Sequence, residues 1–247
     1  MDVTCLHVSE GIPVRIPTDM ECDAGCIEGY LKVPEKPLGI VLFAHGSGSS
    51  RHSPRNRFVA HAFNERRIAT LLIDLFTRDE ERRDALTGEL RFNTRFLAER
   101  LLRVTDWLKQ HPLTCTLPLG YFGASTGAGA ALLATAMRPA GVQAIVSRGG
   151  RPDLAGEALE IVQLPILLIV GSNDQTVLDL NKKALERMRN ANARLEVVAG
   201  AGHLFEEPGA LEAVAALATR WFEQHLRPAH LTEAVVRMRQ PAEGPFS

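Results

Sequence analysis

Three residues able to make and break an acyl bond stand in turn-forming segments, each directly after an apolar run. Ser125 lies in Gly123-Ala124-Ser125-Thr126-Gly127, Asp174 in Gly171-Ser172-Asn173-Asp174-Gln175-Thr176-Val177, and His203 in Gly200-Ala201-Gly202-His203-Leu204. A hydroxyl near its free pKa is a poor nucleophile, a neutral imidazole can accept its proton, and a carboxylate fixes the imidazole tautomer and stabilises the imidazolium. The surroundings of Ser125 fit the first role. Tyr121-Phe122 runs into Gly-x-Ser-x-Gly and then an alanine-rich segment, the pattern of a strained strand-to-helix turn that holds a serine hydroxyl above a sheet edge.

An oxyanion formed by attack of Ser125 needs aligned donors. The Thr126 N–H, opening the helix after the serine, is one; the small-residue turn His45-Gly46-Ser47-Gly48-Ser49-Ser50 is expected to supply the other from Ser47, with Gly48 next. His45 is assigned a structural part, holding that turn through backbone hydrogen bonds. Arg148 and Arg151, in Ser147-Arg148-Gly149-Gly150-Arg151-Pro152-Asp153, can face the same cleft and bind a substrate carboxylate; the competing reading is ion pairing to Asp153 or Glu157. Asp174 competes with a plain helix-capping role and with Asp179 as the carboxylate. Glu206 and Glu207 are expected to favour the N-terminus of the last helix. No His, Cys, Asp and Glu spacing suggests a metal, and no cofactor is expected.

The same residues admit another chemistry. Gly123 to Gly129 also reads as a glycine-rich turn for a dinucleotide pyrophosphate at a helix N-terminus. A dinucleotide fold puts that turn after its first strand, whereas two strand-helix units precede it here. The Tyr-x-x-x-Lys pair of short-chain dehydrogenases is missing as well, since Tyr30 and Tyr121 are followed four residues on by Pro34 and Ser125. A binding module lacking catalysis remains the other class of alternative, its expected mark being a missing member of the Ser-Asp-His set.

The elements that must position these residues are legible in the hydrophobic pattern. Apolar runs at 40–44, 69–73, 119–122, 144–146, 166–170 and 195–199 read as buried parallel strands. Helical segments are expected at 54–66, 94–110, 127–137, 177–190 and 207–226, with Leu97, Leu101, Val104 and Leu108 on one face of the second. Alternation of strand and helix predicts an α/β fold with a mostly parallel, doubly wound sheet and helices on both faces. Ligands of such a sheet bind beyond the carboxyl ends of its strands, where Ser125, Asp174 and His203 fall. Residues 1–38 read as a hairpin region and 227–247 as an extension of one domain. The segment from Ser147 to Pro165 has room for one short helix, so the cap is minimal, and the charged stretch from Thr77 to Arg91 is taken as a loop.

The four segments around Ser47, Ser125, Asp174 and His203, in the chain order Ser, Asp, His, resemble the α/β-hydrolase superfamily and within it dienelactone-hydrolase-like and esterase-like members. The resemblance covers roughly residues 30–226. It implies a carboxylic-ester hydrolase with Ser125, His203 and Asp174 as triad, with a dienelactone-type lactonase or a thioesterase as alternatives. One departure is plain: dienelactone hydrolases proper carry a cysteine nucleophile where this chain has Ser125, which favours a serine esterase of small soluble substrates.

With 247 residues, 45% of them hydrophobic, the chain can bury a sizeable core. A net charge of −1 leaves no electrostatic footprint for nucleic acid. No apolar run approaches the roughly 20 residues that span a bilayer, and the first ten residues lack the pattern of a secretory signal. Four cysteines with no paired metal or redox spacing are expected to be reduced thiols, so the expectation is a cytoplasmic protein acting on a small-molecule ester, without nucleic-acid or membrane partners.

Overall fold

The computed structural model describes residues 11–18, 25–189 and 192–226. The expected extension at 227–247, the first ten residues and Cys5 and Cys22 lie outside the described residues.

Eight strands form one sheet. Two of them, β1 (Ile12–Pro17) and β2 (Cys26–Lys32), make an antiparallel hairpin, and β2 in turn runs antiparallel to β4 (Ile68–Ile73). The rest are parallel: β3 (Gly39–Ala44), β4, β5 (Leu119–Ala124), β6 (Ala144–Arg148), β7 (Ile166–Gly171) and β8 (Ala193–Val198), in the order β1-β2-β4-β3-β5-β6-β7-β8. β3 to β7 are buried at every position, which is why their sequences are continuously apolar rather than alternating. β8 corrects the expectation of a fully buried strand. It is the sheet edge, and Arg194 and Glu196 are exposed while Ala193 and Leu195 are half-buried.

Helices cover both faces. On one, α1 (Pro54–Glu65) and α7 (Ala210–His225) bury Val59, Phe63, Val214 and Phe222 against Phe43 and Phe122 of the sheet. The four phenylalanine rings pack edge-to-face or tilted at centroid distances of 4.8–5.9 Å. On the other, α3 (Thr94–Gln110), α4 (Thr126–Met137), α5 (Ala158–Ile161) and α6 (Gln175–Arg187) close the second core around Leu42, Tyr121 and Leu168. The buried Tyr121 hydroxyl shares a 2.6 Å hydrogen bond with Thr105 of α3, and burial pushes its pKa up to about 12.

The stretch read as a charged loop contains a helix, α2 (Arg78–Thr87), stopped by Gly88 in the left-handed conformation. Thr77 and Glu80 form a reciprocal capping box at its start, with Glu80 N–H donating to Thr77 Oγ1 and Thr77 N–H to Glu80 Oε2. α7 begins at Ala210 rather than 207, so Glu206 and Glu207 stand in the loop before it. Between β6 and β7 only a 3-10 turn (Pro152–Ala155) and the single turn of α5 intervene, and both pack on α4, as the minimal-cap expectation requires. Among the described residues no helix is long and apolar enough to cross a membrane.

Candidate active site

Ser125 links β5 to α4 with φ 50° and ψ −121°, a conformation that costs a non-glycine residue about 1–3 kcal/mol. The surrounding backbone holds it there. Ser125 N–H donates to Arg148 O at 3.3 Å, and Ser125 O accepts from Ala128 N–H at 3.1 Å and Arg151 N–H at 3.0 Å. The flanking glycines are required by space: a Cβ on Gly123 would sit 2.4 Å from Ala128 Cα, and one on Gly127 2.3 Å from Ala44 O.

Asp174 occupies the position before α6, yet its side chain makes no capping bond. It turns instead to His203, with Oδ2 2.6 Å from Nδ1. A carboxylate only accepts, so Nδ1 carries the proton, and in the neutral ring the Nε2 lone pair is then left open. Asp179, the rival carboxylate, is exposed and 3.6 Å from Lys182. The His203 ring lies over Gly149, where an added Cβ would be 3.6 Å from Cε1, and Gly149 adjoins Arg148, the acceptor of Ser125 N–H. The histidine thus stands beside the elbow, although no hydrogen bond joins Ser125 Oγ to it; such contacts often tighten only when substrate is bound.

The loops carrying Asp174 and His203 are bonded to each other by groups that sequence reasoning missed. Gly200 N–H donates to Ser172 Oγ at 2.8 Å, Asn173 Nδ2 donates to Gly200 O at 2.8 Å, and Asn173 N–H donates to Ala201 O at 2.9 Å. Glu207 accepts Gly202 N–H at 2.8 Å and Glu206 accepts from Arg55 Nη1 at 2.9 Å, so these acids hold the histidine loop rather than serve the start of α7. The polar pair Ser172-Asn173 before Asp174 was the one signal of this bonding in the sequence.

Ser47 and Thr126, the two residues read from the sequence as oxyanion donors, lie against each other. Ser47 N–H donates to Thr126 Oγ1 at 3.0 Å, and Thr126 N–H, at the first helical position, has no intrahelical partner. The loop is pinned at both ends. His45 Nδ1 donates to Gly46 O at 2.9 Å and its Nε2 accepts from Leu75 N–H at 3.1 Å, while Arg51 pairs with Asp74 and Glu28. Gly46 is pressed against the elbow, where a Cβ would be 3.0 Å from Ser125 Cβ. Beside this loop opens a cleft of about 540 Å³ lined by Ser47, Gly48, His52, Arg55, Phe76 and Glu81.

Burial pushes the His45 pKa below its ordinary 6.5, the Gly46 carbonyl and the charges of Asp74 and Glu81 opposing only in part. The folded state therefore resists a proton that the unfolded chain takes up. The contribution of this neutral imidazole to stability is full well above pH 6.5 and is lost as the pH falls below that value. In urea titrations between pH 7.5 and 5, His45→Gln should lose less stability on acidification than the wild type; equal slopes would show that His45 is not the responsible group.

The two arginines part company. Arg151 makes a bidentate ion pair with Asp153, at 2.8 and 2.7 Å, the alternative to substrate binding that the sequence offered. Arg148 is 8% exposed, and its Nε and Nη1 have no hydrogen-bond partner. Desolvation, with help from the nearby charge of Arg55, pushes its pKa down to about 10.

A mostly parallel sheet flanked on both faces, with a strained serine elbow after its central strand and an Asp-His pair beyond the last two strands, defines an α/β hydrolase. The chain belongs to the dienelactone hydrolase family, which it matches over residues 27–227. It is 53% identical to the crystal structure of a dienelactone hydrolase from Anabaena variabilis, with a TM-score of 0.81 over 87% of this chain and 99% of that one. The fold is shared by Est1E from Butyrivibrio proteoclasticus, at 16% identity and a TM-score of 0.70 over 86% of this chain and 98% of that one. Two Mycobacterium tuberculosis proteins, from strains H37Rv and CDC 1551, both named provisionally as phosphoribosyl transferases, are 58% identical over 200 residues, 81% of this chain. The chain spans only 44% of the length of these curated relatives.

Proposed function

We propose that the protein is a serine hydrolase of small carboxylic esters or lactones. The observation that carries this reading is the 2.6 Å bond from His203 Nδ1 to Asp174 beside a serine held at φ 50°. Ser125 Oγ attacks the acyl carbon as His203 Nε2 takes its proton, and Ser47 and Thr126 N–H groups hold the oxyanion. Collapse expels the alkoxide, protonated by His203, and leaves an acyl-serine. Water, deprotonated by the same imidazole, then releases the acid. A lactone is an internal ester and follows the same steps, its alkoxide staying attached to the acid. The name of the mycobacterial relatives is said of longer proteins, whereas this reading rests on residues within the segment 27–227 that matches the family.

Arg148 supports a refinement. A buried guanidinium whose Nε and Nη1 lack hydrogen-bond partners, on the residue whose carbonyl binds Ser125 N–H, is suited to an acid group on the substrate. A panel of p-nitrophenyl acetate and butyrate, their long-chain counterparts and a carboxylate-bearing short ester tests both statements. Short acyl chains should be hydrolysed faster than long ones, and Arg148→Ala should lose about tenfold or more in kcat/KM on the acid-bearing ester alone. Equal losses on neutral and acidic esters remove Arg148 from substrate binding, and no turnover of any ester removes the esterase reading.

A further inference from the structure

The loop from Gly46 to Ser50 approaches the serine elbow with few attachments of its own. Its ends are fixed through His45 and Arg51, but Gly48, at φ 71°, has nothing within 4 Å of where a side chain would begin, and the turn around it is closed by Ser49 N–H donating to Gly46 O at 3.2 Å. Among the described residues, one hydrogen bond joins this loop to the elbow: Ser47 N–H to Thr126 Oγ1, across 79 positions of sequence. Thr126 is 6% exposed and follows Ser125 directly.

We propose that the Thr126 hydroxyl makes this side chain a positioning residue that keeps the Ser47 amide aimed at the oxyanion site, a role that rests on the esterase reading and is separate from that of Thr126 N–H. The hydroxyl oxygen takes the Ser47 N–H and fixes the loop against α4. A tetrahedral oxyanion is a charged acceptor, and bonds to it are roughly twice as strong as those to a neutral hydroxyl. The Ser47 N–H therefore shifts from Oγ1 to the oxyanion by a small rotation, with its orientation already set. Preorganisation of this kind acts on the transition state and leaves ground-state binding almost untouched.

Thr126→Val removes the acceptor and keeps the branched shape; Thr126→Ser keeps the acceptor. Two readouts are needed: steady-state hydrolysis of p-nitrophenyl acetate, and the rate of phosphonylation by a fluorophosphonate. In the second, a Ser125 Oγ–P bond forms, the P–F bond breaks, fluoride leaves and His203 receives the serine proton. The valine variant should lose about 10- to 100-fold in kcat and in phosphonylation rate, with KM changed about twofold at most and an unaltered melting temperature. The serine variant should recover most of that loss. Unchanged rates in Thr126→Val, faster rates, or a loss confined to KM would overturn the proposal, faster rates meaning that the hydroxyl competes with the oxyanion. Failure of the wild type to react with the fluorophosphonate would instead remove the serine-hydrolase reading, and this role with it.

Discussion

Replacing Ser125 by alanine should lower kcat on short-acyl esters by about 10⁴-fold or more, the scale on which removal of a triad nucleophile acts. The fold should survive, because the backbone bonds that hold residue 125, to Arg148, Ala128 and Arg151, do not involve its side chain. The hydroxyl takes part in bond-making rather than in holding the substrate. KM should therefore move far less than kcat. Loss of activity together with loss of cooperative unfolding would point to structural failure, and near-wild-type rates would contradict the assignment of Ser125 as nucleophile.

The second large effect is one of space. Gly127→Ala places a methyl group 2.3 Å from Ala44 O and 2.6 Å from His45 O, both backbone atoms that cannot rotate away. Relief requires α4 to withdraw from the end of β3, which also carries the loop bearing Ser47. A destabilisation of about 3 kcal/mol or more is expected, at the upper end for overpacking in a closed interior. For a chain of this size that is a fall in melting temperature of about 6–12 °C. Gly48→Ala is the informative comparison: its φ of 71° is unfavourable for alanine, but nothing lies in the way, so only about 1–2 kcal/mol is at stake. If both variants melt together, the close approach at Gly127 is not what the glycine is for.

The parts of the site that declare themselves in sequence are those fixed by local rules. Ser125 is legible because a strained turn needs Gly123 and Gly127 on either side of it, and the buried strands because a sheet covered on both faces leaves no polar alternation in β3 to β7. Even α2 had a readable start in Thr77 and Glu80, hidden by the charge of the residues that follow. β8 misled for a related reason. Leu195, Val197 and Val198 look like a core strand, but no ninth strand covers that edge among the described residues, and only Arg194 and Glu196 hinted at it. What stayed illegible was pairing between distant loops: Arg55 with Glu206, Ser172 and Asn173 with Gly200, and Ser47 with Thr126. Each residue has several local partners on offer, and only the assembled sheet brings the distant one within reach. Glu206 and Glu207 illustrate the point, since their spacing suited a helix N-terminus that in fact begins at Ala210.

The central claim is that Ser125 is a nucleophile served by His203 and Asp174. The most direct test is peptide mass analysis after brief treatment of the full chain with a fluorophosphonate, on wild type, Ser125→Ala and His203→Ala. One phosphonyl group on Ser125 in the wild type, none in Ser125→Ala and far slower uptake in His203→Ala is the predicted result. An unmodified wild-type Ser125, or equal modification of the serine with and without His203, would contradict it.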